Sequence, residues 1–452
     1  MMHPVLQQLR EATVRTQWSG RLFVVGGAVR DELLTGNAPT DFDLMVQGDA
    51  VELARYLFAE GISSIAPVIY PRFGTAMVRI ADQQVELASA RAESYDPRTR
   101  KPEVRPGTLE EDAARRDFTV NALMRNLHSN EVLDPTGLGL ADFDARLLRT
   151  PKDPHATFSE DPLRMLRAVR FQWQLGFEPV EGLRSAIQQE APRLAIISAE
   201  RITEELKKML ALPEGHRCLE DLQSLGLTAQ FAPEFDAMVG VEQGKFHFLD
   251  VWHHTLLVVA NTRPDDLILR LAALFHDIGK PATRFVDDDG NVRFFGHEEV
   301  GAKLTRVVMR RLKFSSAEVD AVTLLVRHHM RLASMPVFTP AAGRRVVRDL
   351  GEETERLLDL VEADASALRP GVRSLDLGPI RETLRRIQSA AEKTPLVSPL
   401  SGEEIQAILG VEPGRIVGEA KAFLTELVLD GDLDGTDRVG AQTRLRSWFA
   451  SR

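Results

Sequence analysis

The sequence predicts an α+β fold, in which a small mixed sheet near the N-terminus is followed by a chain that is helical to its end. Short β-rich runs alternate with helical stretches between residue 21 and about residue 150; the runs are RLFVV, DFDLMV, TAMVRI, QVELASA and EVLD. From about residue 151 onward, apolar residues recur at three and four positions, as in RMLRAVRFQWQL and AVTLLVRHHMRL. Turn-rich breaks at TPKDPHATFSEDP, ALPEGH, ALRPGV and KTPLVSPLSG separate these helical stretches.

These breaks predict four domains. Residues 1–150 are expected to form an α/β or α+β head, which starts with a short amphipathic helix in residues 1–18. Residues 151–213 form a helical neck, residues 214–370 a helical body, and residues 371–452 a helical tail.

The composition describes an ordinary globular protein. The chain has 452 residues, of which 44% are hydrophobic and 27% charged, and its net charge is −10. The single cysteine, Cys218, excludes an internal disulfide, and neither a signal-peptide core nor a membrane-length apolar run is present. We therefore expect a cytoplasmic protein with no membrane partner. Residues 301–350 nevertheless hold ten Lys or Arg and three Asp or Glu, a basic stretch that suits phosphate contacts.

The first motif, from Leu22 to Val46, contains two adjacent glycines and two closely spaced aspartates. The apolar run Leu22 to Val25 predicts a buried strand, Gly26 and Gly27 follow it, and AVRDELL then starts a helix. After a turn-rich break, Asp41 and Asp43 alternate with apolar residues, so both carboxylates lie on one face of a strand. Such carboxylates repel each other unless a cation lies between them, and a glycine turn before a helix suits an anion. Each feature alone is common, but their order indicates a divalent metal beside a phosphate site.

The next motif is EEDAARRDFTVNALM. Arg115 and Arg116 can donate bidentate hydrogen bonds to phosphate oxygens. Asp117 beside them can accept a hydrogen bond from a ribose hydroxyl. By itself the motif is also compatible with a helix start and local ion pairs.

A third motif, SEDPLRMLRAVRF, predicts a helix whose N-cap is Ser159 and whose first turn contains Pro162. Asp161 and Arg164 are three residues apart and so share a helix face, which Arg167 continues. An intrahelical salt bridge is one interpretation. The other interpretation is that the carboxylate of Asp161, as an acceptor, and the guanidinium of Arg164, as a donor, together imitate the hydrogen-bonding edge of a base.

In order, these motifs resemble those of the class II tRNA nucleotidyltransferases, which build the 3′-terminal CCA of tRNA, and of the bacterial poly(A) polymerases that share their head. The resemblance rests on VVGGAVRDELL…DFDL, RRDFTVNAL, LDPTGLGLADFDARLLRT and EDPLRMLRAVRF, and it extends to the tail LSGEEIQAILGVEPGRIVGEAKAFLTELVLDG. It implies a head of the polymerase β type, with tRNA, CTP and ATP as substrates and no DNA partner.

The resemblance also implies a role for each motif residue. The glycines would donate backbone N–H groups to the triphosphate, two aspartates and a third carboxylate would carry Mg²⁺, and the acidic and basic pair on the recognition helix would read the base. The metal-binding carboxylates would be Asp41, Asp43 and Glu86, and the nucleotide-binding residues would be Gly26, Gly27, Arg30, Arg116, Asp117, Asp161, Arg164 and Arg167.

One segment bears on the nucleotides added. Between Ala90 and the RRD motif, RAESYDPRTRKPEVRPGTLEED is polar and rich in proline and arginine, which predicts a mobile loop. In the family, a complete loop accompanies enzymes able to add the terminal A. The sequence therefore favours CCA addition, and leaves open A addition alone or poly(A) synthesis.

A second constellation lies in the body: VWHHTLLVV, ALFHDIGKP, FFGHEEVGAK, LVRHHMRL and LVEADASA. The metal-prone side chains are His253, His254, His276, Asp277, His297, His328, His329, Glu362 and Asp364. Imidazole with carboxylate suits Mg, Mn, Ni, Co or Fe.

This pattern resembles the HD superfamily of metal-dependent phosphohydrolases. The resemblance implies His254, His276, Asp277 and Asp364 as core ligands. His297 and His328 match positions used for a second metal or for phosphate. A metal-activated water could then attack phosphoesters, including 2′,3′-cyclic phosphates at tRNA ends. A rival hypothesis makes this hydrolysis primary and assigns nucleotide binding alone to the head.

Overall fold

The computed structural model describes residues 2–37, 42–94, 103–244, 247–335, 337–369, 371, 375–391 and 394–452. These residues form two compact units. Unit 1 consists of Met1–Met209 and Arg217–Phe231, and unit 2 consists of Leu210–His216 and Ala232–Arg452. The finer division into head, neck, body and tail stays a prediction.

Unit 1 is built on a seven-stranded mixed sheet with the strand order β3-β4-β5-β2-β1-β8-β9. Strands β2 and β5 are parallel, whereas the other neighbouring pairs are antiparallel. A separate antiparallel hairpin joins β6 to β7, and β10 pairs with β11 in parallel. The strands are β1 Leu22–Val25, β2 Asp43–Val46, β3 Val68–Tyr70, β4 Thr75–Ile80, β5 Gln83–Ser89, β6 Arg91–Ser94, β7 Glu103–Pro106, β8 Met124–Asn126, β9 Val132–Leu133, β10 Leu147–Leu148 and β11 Glu178–Pro179.

Most helices of unit 1 follow the sheet in sequence. The helices that lie wholly or mainly in this unit are α1 Pro4–Thr13, α2 Gly27–Thr35, α3 Ala50–Ala59, α4 Leu109–Ala114, α5 Gly139–Asp144, α6 Pro154–Glu160, α7 Leu163–Leu175, α8 Leu183–Glu190, α9 Ala199–Leu210, α10 Gly215–Ser224 and α11 Thr228–Phe231.

The two faces of the sheet have different surroundings. On one face, Leu44 and Val46 of β2 pack with residues of α1 and α3, such as Leu9 and Leu53, in the main core of the unit. On the other face, Met45 packs in a smaller apolar cluster with residues of β1, β8 and α4. Because successive side chains of a strand alternate, Asp43 lies on the face of Met45 and away from the main core.

Over its described residues, the regular structure of unit 2 is helical apart from the hairpin of β12 (Arg284–Val286) and β13 (Val292–Phe294). Its helices are α12 Pro233–Asp236, α13 Val251–Ala260, α14 Leu267–Phe275, α15 Lys280–Thr283, α16 His297–Arg311, α17 Ser316–His328, α18 Pro340–Leu350, α19 Thr354–Ser366, α20 Leu377–Ala391, α21 Gly402–Leu409, α22 Arg415–Asp430 and α23 Arg438–Ala450.

Aromatic side chains organise both ends of unit 2. Phe235 stacks on Trp252 with ring centroids 5.9 Å apart and contacts Phe275 at 5.2 Å, so α12, α13 and α14 share one core. In α21 to α23, a separate apolar cluster surrounds the stacked rings of Phe423 and Trp448, whose centroids are 5.5 Å apart. The C-terminal helices therefore have a core of their own.

The predicted α+β class and the small mixed sheet are confirmed, and the five predicted strand runs correspond to β1, β2, β4, β5 and β9. The N-cap prediction was wrong. Ser159 lies inside α6, in the stretch predicted to be a break, and Pro162 is the N-cap of α7. The reason is local, because the Asp153 side chain accepts a hydrogen bond from the Ala156 N–H and so starts α6 earlier. Among the described residues, no helix combines the length and apolar character that a membrane crossing requires.

Candidate active site

The glycine turn lies at the junction of β1 and α2. Gly26 is the N-cap of α2 and has a φ of 74°, a left-handed conformation that suits a residue without a Cβ. A Cβ built on Gly26 would lie 3.6 Å from Nη1 of Arg116. The structure therefore brings the glycine turn and the RRD motif together, although about 90 residues separate them in sequence.

The carboxylates of β2 and β5 are in register. Asp43 at the start of β2 is the Cα partner of Glu86 on the parallel strand β5, and both side chains are exposed. Partners on neighbouring strands are about 4.8 Å apart and point to the same face. Hard cations such as Mg²⁺ prefer carboxylate oxygen ligands, so this donor set fits such a metal. Asp41, the other predicted metal ligand, lies outside the described residues.

A buried carboxylate holds the arginine pair. Asp112 on α4 is fully buried; its Oδ1 accepts from Nη2 of Arg115 at 2.6 Å, and its Oδ2 accepts from Nη2 of Arg116 at 3.0 Å. Burial alone would raise the pKa of Asp112, but the charges of Arg116 and Arg115 lower it below its ordinary value. Sequence reasoning missed Asp112, although its spacing of three and four from the two arginines is a helical ion-pair signal.

A second buried network joins α2 to α7. Arg30 is buried and donates through Nη1 to Oδ1 of Asn121, whose Nδ2 donates to Oδ1 of Asp117 at 3.1 Å. Nε of Arg167 donates to Oδ2 of Asp117 at 2.7 Å. Burial raises the pKa of Asp117, but the adjacent Arg167 charge outweighs it and lowers this pKa. Three predicted nucleotide-binding residues therefore belong to one network, and Asn121 is the link that the prediction omitted.

The expectation that Asp161 and Arg164 share a helix face is corrected. Asp161 ends α6 in an extended conformation, and its Oδ2 accepts from Nη2 of Arg201 on α9 at 2.8 Å. Arg164 on α7 instead donates through Nη1 to Glu160 at 3.3 Å and through Nη2 to the carbonyl of Arg115. The two residues do not share a helix, because the chain turns between α6 and α7. Arg164 nevertheless contacts the RRD motif.

The histidines of unit 2 converge on Asp277. One group of three, His254, His276 and Asp277, is buried and has ligand atoms within 4.8 Å of one another. Nε2 of His254 lies 2.9 Å from Oδ1 of Asp364, and Nε2 of His276 lies 3.9 Å from the same oxygen. Burial alone would raise the pKa of Asp364, but the hydrogen bond from His254 and the charge of His276 outweigh burial and lower this pKa. All four predicted core ligands are therefore in one place.

A second group shares the same aspartate. Asp277, His297 and His329 also have ligand atoms within 4.8 Å of one another, and Nε2 of His297 lies 3.2 Å from Nε2 of His329. The prediction assigned His328 to the second group, whereas the structure places His329 there. His328 is the last residue of α17 and is half-buried, whereas His329, one position on, is buried and points in another direction. Burial lowers the pKa of His329 to about 3.

Backbone carbonyls orient three of the imidazoles. In each ring Nδ1 lies within hydrogen-bond distance of a carbonyl oxygen three residues earlier, which leaves Nε2 for the cluster. The pairs are His276 with Ala273 at 2.7 Å, His297 with Phe294 at 2.8 Å and His329 with Val326 at 2.7 Å. Nε2 of His276 is buried and makes no hydrogen bond with the described residues. The arrangement fits a metal-binding cluster of imidazole and carboxylate donors.

Besides His328, two more of the predicted metal-prone residues lie away from the cluster that Asp277, Asp364 and four histidines form. His253 is exposed and its Nδ1 lies 2.7 Å from Oδ1 of Asp250. Glu362 is exposed and pairs with Arg381 at 3.0 Å. On a helix, neighbours in sequence point about 100° apart, so His254 and Asp364 face the cluster while these residues do not.

Most of the basic stretch 301–350 is already paired. Seven of its ten basic residues bond to an acidic side chain or, in one case, a carbonyl; they are Arg306, Arg311, Arg327, Arg331, Arg344, Arg345 and Arg348. Several of the acceptors, such as Glu234 and Glu426, come from outside the stretch. The local excess of charge is therefore smaller in the fold than in the sequence.

For the loop that bears on terminal A addition, the structure describes only the two paired strands of its stem. Its strands are β6 and β7, whose register pairs Arg91 with Pro106 and Ala92 with Arg105. Residues 95–102, which form its centre, lie outside the described residues, so the predicted mobility of this loop stays a prediction.

Comparisons with known proteins agree with this arrangement. The family model of the poly A polymerase head domain matches residues 22–149, a model described as a probable RNA and SrmB-binding site of polymerase A matches residues 176–239, and the HD domain model matches residues 246–368. An A-adding tRNA nucleotidyltransferase of Deinococcus radiodurans is 39% identical over 417 residues, which are 89% of this chain and 90% of the relative. A CC-adding tRNA nucleotidyltransferase of Thermus thermophilus is 34% identical over 444 residues, 94% of this chain and 92% of the relative.

A solved structure extends the likeness to the fold. The Bacillus stearothermophilus CCA-adding enzyme in complex with CTP superimposes with a TM-score of 0.70 and 25% identity, covering 100% of both chains. Together, the glycine turn beside the arginine pair, the three matched domains and the near full-length relatives show that this chain is an enzyme of the tRNA nucleotidyltransferase and poly(A) polymerase family and carries an HD domain.

Proposed function

We propose that this enzyme adds nucleotides to the 3′ end of tRNA and that it builds the whole CCA from CTP and ATP. The observation that carries the proposal is the register of Asp43 with Glu86, on the sheet that also presents the glycine turn. Relatives that add nucleotides to tRNA cover most of the chain, which supports the substrate.

The proposed chemistry is an in-line displacement by the tRNA 3′-hydroxyl on the α-phosphate, with pyrophosphate as the leaving group. Asp41, Asp43 and Glu86 would hold Mg²⁺, which when bound lowers the pKa of the hydroxyl and offsets charge on the triphosphate. The N–H groups of the turn at Gly26 and Gly27 would donate to phosphate oxygens at the N-terminus of α2.

Arginines would complete the triphosphate site. The guanidinium of Arg116 lies against the glycine turn and is held by Asp112, so little motion is needed to reach a phosphate. Asp117 would accept from the ribose hydroxyl, with Arg167 fixing its carboxylate. Arg30 is enclosed between Asn121 and the Phe171 ring, 5.0 Å from the ring centroid, which favours support of the turn over direct phosphate contact.

The choice of base would come from Asp161 and Arg164. Each residue is anchored by other groups. Asp161 accepts a hydrogen bond from Arg201, and Arg164 donates to Glu160 and to the carbonyl of Arg115. Anchored acceptors and donors can select a base edge because an unmatched polar group at such a site is costly.

A second candidate is addition of the terminal A alone. The 39% identical relative is an A-adding enzyme, and this observation favours the narrower activity. An extension assay separates the two. A tRNA that ends at its discriminator base, one that ends in C and one that ends in CC are incubated with Mg²⁺ and each nucleotide supplied alone or together.

If the enzyme builds the whole CCA, CTP should add two residues to the tRNA that ends at its discriminator base and one residue to the tRNA that ends in C. ATP should add one residue to the tRNA that ends in CC. Extension of the third substrate alone would assign A addition, and extension of none would overturn the proposal. Asp43→Asn should abolish extension in every case. The exposed Asp144, at the end of α5, supplies the matched control, and Asp144→Asn should extend at the wild-type rate.

The cluster around Asp277 supports a phosphohydrolase activity in unit 2. Its residues would bind a divalent transition metal such as Mn, Ni, Co or Fe, which supplies an activated water when bound. Lys280 lies 2.6 Å from Oδ2 of Asp277, so it can compensate negative charge at the cluster. The test is hydrolysis of a 2′,3′-cyclic nucleotide to its 2′- or 3′-monophosphate after chelation and reconstitution with each metal. Absence of ring opening with every metal would exclude this activity.

A further inference from the structure

The face of the sheet that carries Asp43 and Glu86 continues across β4 to the edge strand β3. The register sets Glu86 of β5 opposite Met77 of β4, and Met77 opposite Val68 of β3. Partners on neighbouring strands point to the same face, so these residues form one row with Asp43. Tyr70 is two residues beyond Val68 on β3 and therefore has its side chain on this face as well.

The opposite face of the same strands is covered. Val78 of β4 and Leu87 of β5 are fully buried in the main core of unit 1, together with Leu53 of α3. On the carboxylate face, by contrast, Val68 is 39% exposed and Tyr70 is 51% exposed. The part of the sheet from β3 to β5 is therefore accessible to a ligand on the same side as the metal carboxylates.

This accessible surface carries an aromatic ring and an unpaired cation. The ring is that of Tyr70, at the edge of the sheet. The cation is Arg79 of β4, which is opposite Gln84 of β5 and two residues from Met77, so its side chain begins on the same face. Among the described residues, Arg79 has no carboxylate partner, and its Nε is buried without a hydrogen bond. The surface therefore has a positive charge that the described fold does not neutralise.

The geometry of the proposed displacement decides what crosses this surface. Val24 of β1 is opposite Leu44 of β2, so the glycine turn that follows β1 lies on the β1 side of Asp43. Strand β5, with Glu86, lies on the other side of Asp43. In an in-line displacement, the attacking and leaving oxygens are on opposite sides of the phosphorus. Since pyrophosphate leaves towards the glycine turn, the attacking 3′-hydroxyl comes from the side of Glu86.

The strand that ends in this hydroxyl then lies over β4 and β3. Neighbouring strands of a sheet are ~4.8 Å apart, so Val68, two strands from Glu86, is roughly 10 Å beyond it. Stacked nucleotides rise ~3.4 Å each along a strand, so this distance corresponds to about three nucleotides. Aromatic faces that stack bases beside cations that hold phosphates are the usual means of binding single-stranded nucleic acid.

We propose that the accessible surface of β3 and β4 is a subsite for the single-stranded 3′ end of the RNA being extended, in which Tyr70 stacks a base within the last three nucleotides and Arg79 holds a phosphate. This subsite rests on the proposed function, because the direction of the strand follows from a triphosphate at the glycine turn. It binds the strand being extended and leaves the incoming nucleotide to the other side of the carboxylates.

Binding of RNA without nucleotide tests the subsite independently of transfer. A fluorescent tRNA ending in CC, and the same tRNA shortened to the base-paired end of its acceptor stem, are titrated with the full-length wild-type protein and with Tyr70→Ala, Tyr70→Phe and Arg79→Gln. The matched controls are Phe58→Ala and Arg55→Gln on α3, which packs on the opposite face of the sheet; Phe58 is 46% exposed and Arg55 is also exposed. Thermal unfolding of each variant verifies that the fold is retained.

We expect Tyr70→Ala to raise the Kd for the tRNA ending in CC about tenfold, equivalent to ~1.4 kcal/mol, because a stacked base loses its ring. Its Kd for the shortened tRNA should equal that of the wild type, and Phe58→Ala should leave both values within about twofold. Tyr70→Phe should bind as the wild type does, since stacking needs the ring and not the hydroxyl.

The variant Arg79→Gln tests the phosphate contact. It should weaken binding of the tRNA ending in CC and reduce the slope of log Kd against log salt concentration by roughly 0.7, the value for one phosphate of a single strand. Arg55→Gln should change neither quantity. The Michaelis constant for ATP should stay within about twofold in Tyr70→Ala and Arg79→Gln, because the incoming nucleotide lies elsewhere.

Two results would overturn the subsite. One is an unchanged Kd in Tyr70→Ala, and the other is a loss of affinity that is equally large for the shortened tRNA, because such a loss comes from outside the single-stranded end. An unchanged salt dependence in Arg79→Gln would remove Arg79 from the subsite. If the wild-type protein binds the tRNA ending in CC but extends no tRNA, the proposed function fails, while the comparison of the two RNAs still decides whether Tyr70 contacts the strand.

Discussion

Replacing Asp112 by alanine should damage both the stability of unit 1 and its binding of nucleotide. In the folded protein this carboxylate lies 2.6 Å from Arg115 and 3.0 Å from Arg116, with its side chain 1% exposed and those of the arginines 17% exposed. Asp112→Ala leaves two neighbouring guanidinium groups without their shared counter-charge. Removing one partner of a buried pair costs about 3–5 kcal/mol. Because the arginines retain some solvent, we expect a loss near the lower figure, about 3 kcal/mol in the free energy of unfolding.

The effect on nucleotide binding follows from the freedom that Arg116 gains. Without Asp112 the guanidinium is no longer directed towards the glycine turn, and a hydrogen bond to a charged group contributes about 1.5–3 kcal/mol. The Michaelis constant for ATP should therefore rise about tenfold or more in extension assays with a tRNA ending in CC. Asp142 is the matched control, since it is buried in the same unit and pairs with Arg149 at 3.0 Å. Asp142→Ala should lose stability but keep the wild-type Michaelis constant.

The pH dependence supplies a separate check. The folded-state pKa of Asp112 is lowered, so its stabilising contribution is present above the ordinary value of 3.8 and is lost as the pH falls through the folded-state pKa. The difference in unfolding free energy between wild type and Asp112→Ala should be constant near neutral pH and shrink in acid. Denaturant unfolding at several pH values measures it. A variant that matches the wild type in both stability and Michaelis constant would refute the reasoning.

Three further predictions concern the remaining side chains. Asp43→Asn should reduce extension below detection while the unfolding transition stays within about 1 kcal/mol of wild type, because the side chain is exposed; a residual rate near wild type would contradict its metal role. Asp161→Ala should weaken discrimination between CTP, ATP and UTP, and Arg201→Ala should do so to a smaller extent, as measured by misincorporation; unchanged selectivity would remove Asp161 from base recognition. His329→Ala should reduce bound transition metal, measured by elemental analysis, and leave tRNA extension unchanged, whereas His328→Ala should retain the metal; the opposite pattern would restore His328 as the ligand.

Local patterns predicted the elements that position the site. The strand and helix around the glycine pair follow from an apolar run, two residues without bulky side chains and a helical period, all within about 15 residues. The same holds for the HD motif at the end of α14, where adjacent His276 and Asp277 enter the cluster together. These features are readable because their geometry depends on neighbours in sequence.

Side-chain partners were predicted less well wherever they came from distant segments. Spacing placed Asp161 on one helix face with Arg164, but Asp161 lies at the end of α6 and its partner Arg201 is 40 residues away on α9. His328 was chosen over His329, although a shift of one helical position decides which imidazole faces Asp277. Asp112 and Asn121 were passed over because buried positioning residues carry no motif of their own.

The sequence by itself determined the α+β class, the order of the elements and the chemical types gathered at each site, because periodicity, turn residues and short motifs are local properties of the chain. Only the tertiary structure decided which groups meet. Strand register set Glu86 beside Asp43, and helix packing set Asp277 between two groups of histidines. These contacts depend on register and on the rotation of each helix about its axis, and a change of one residue in either redirects every side chain on the element.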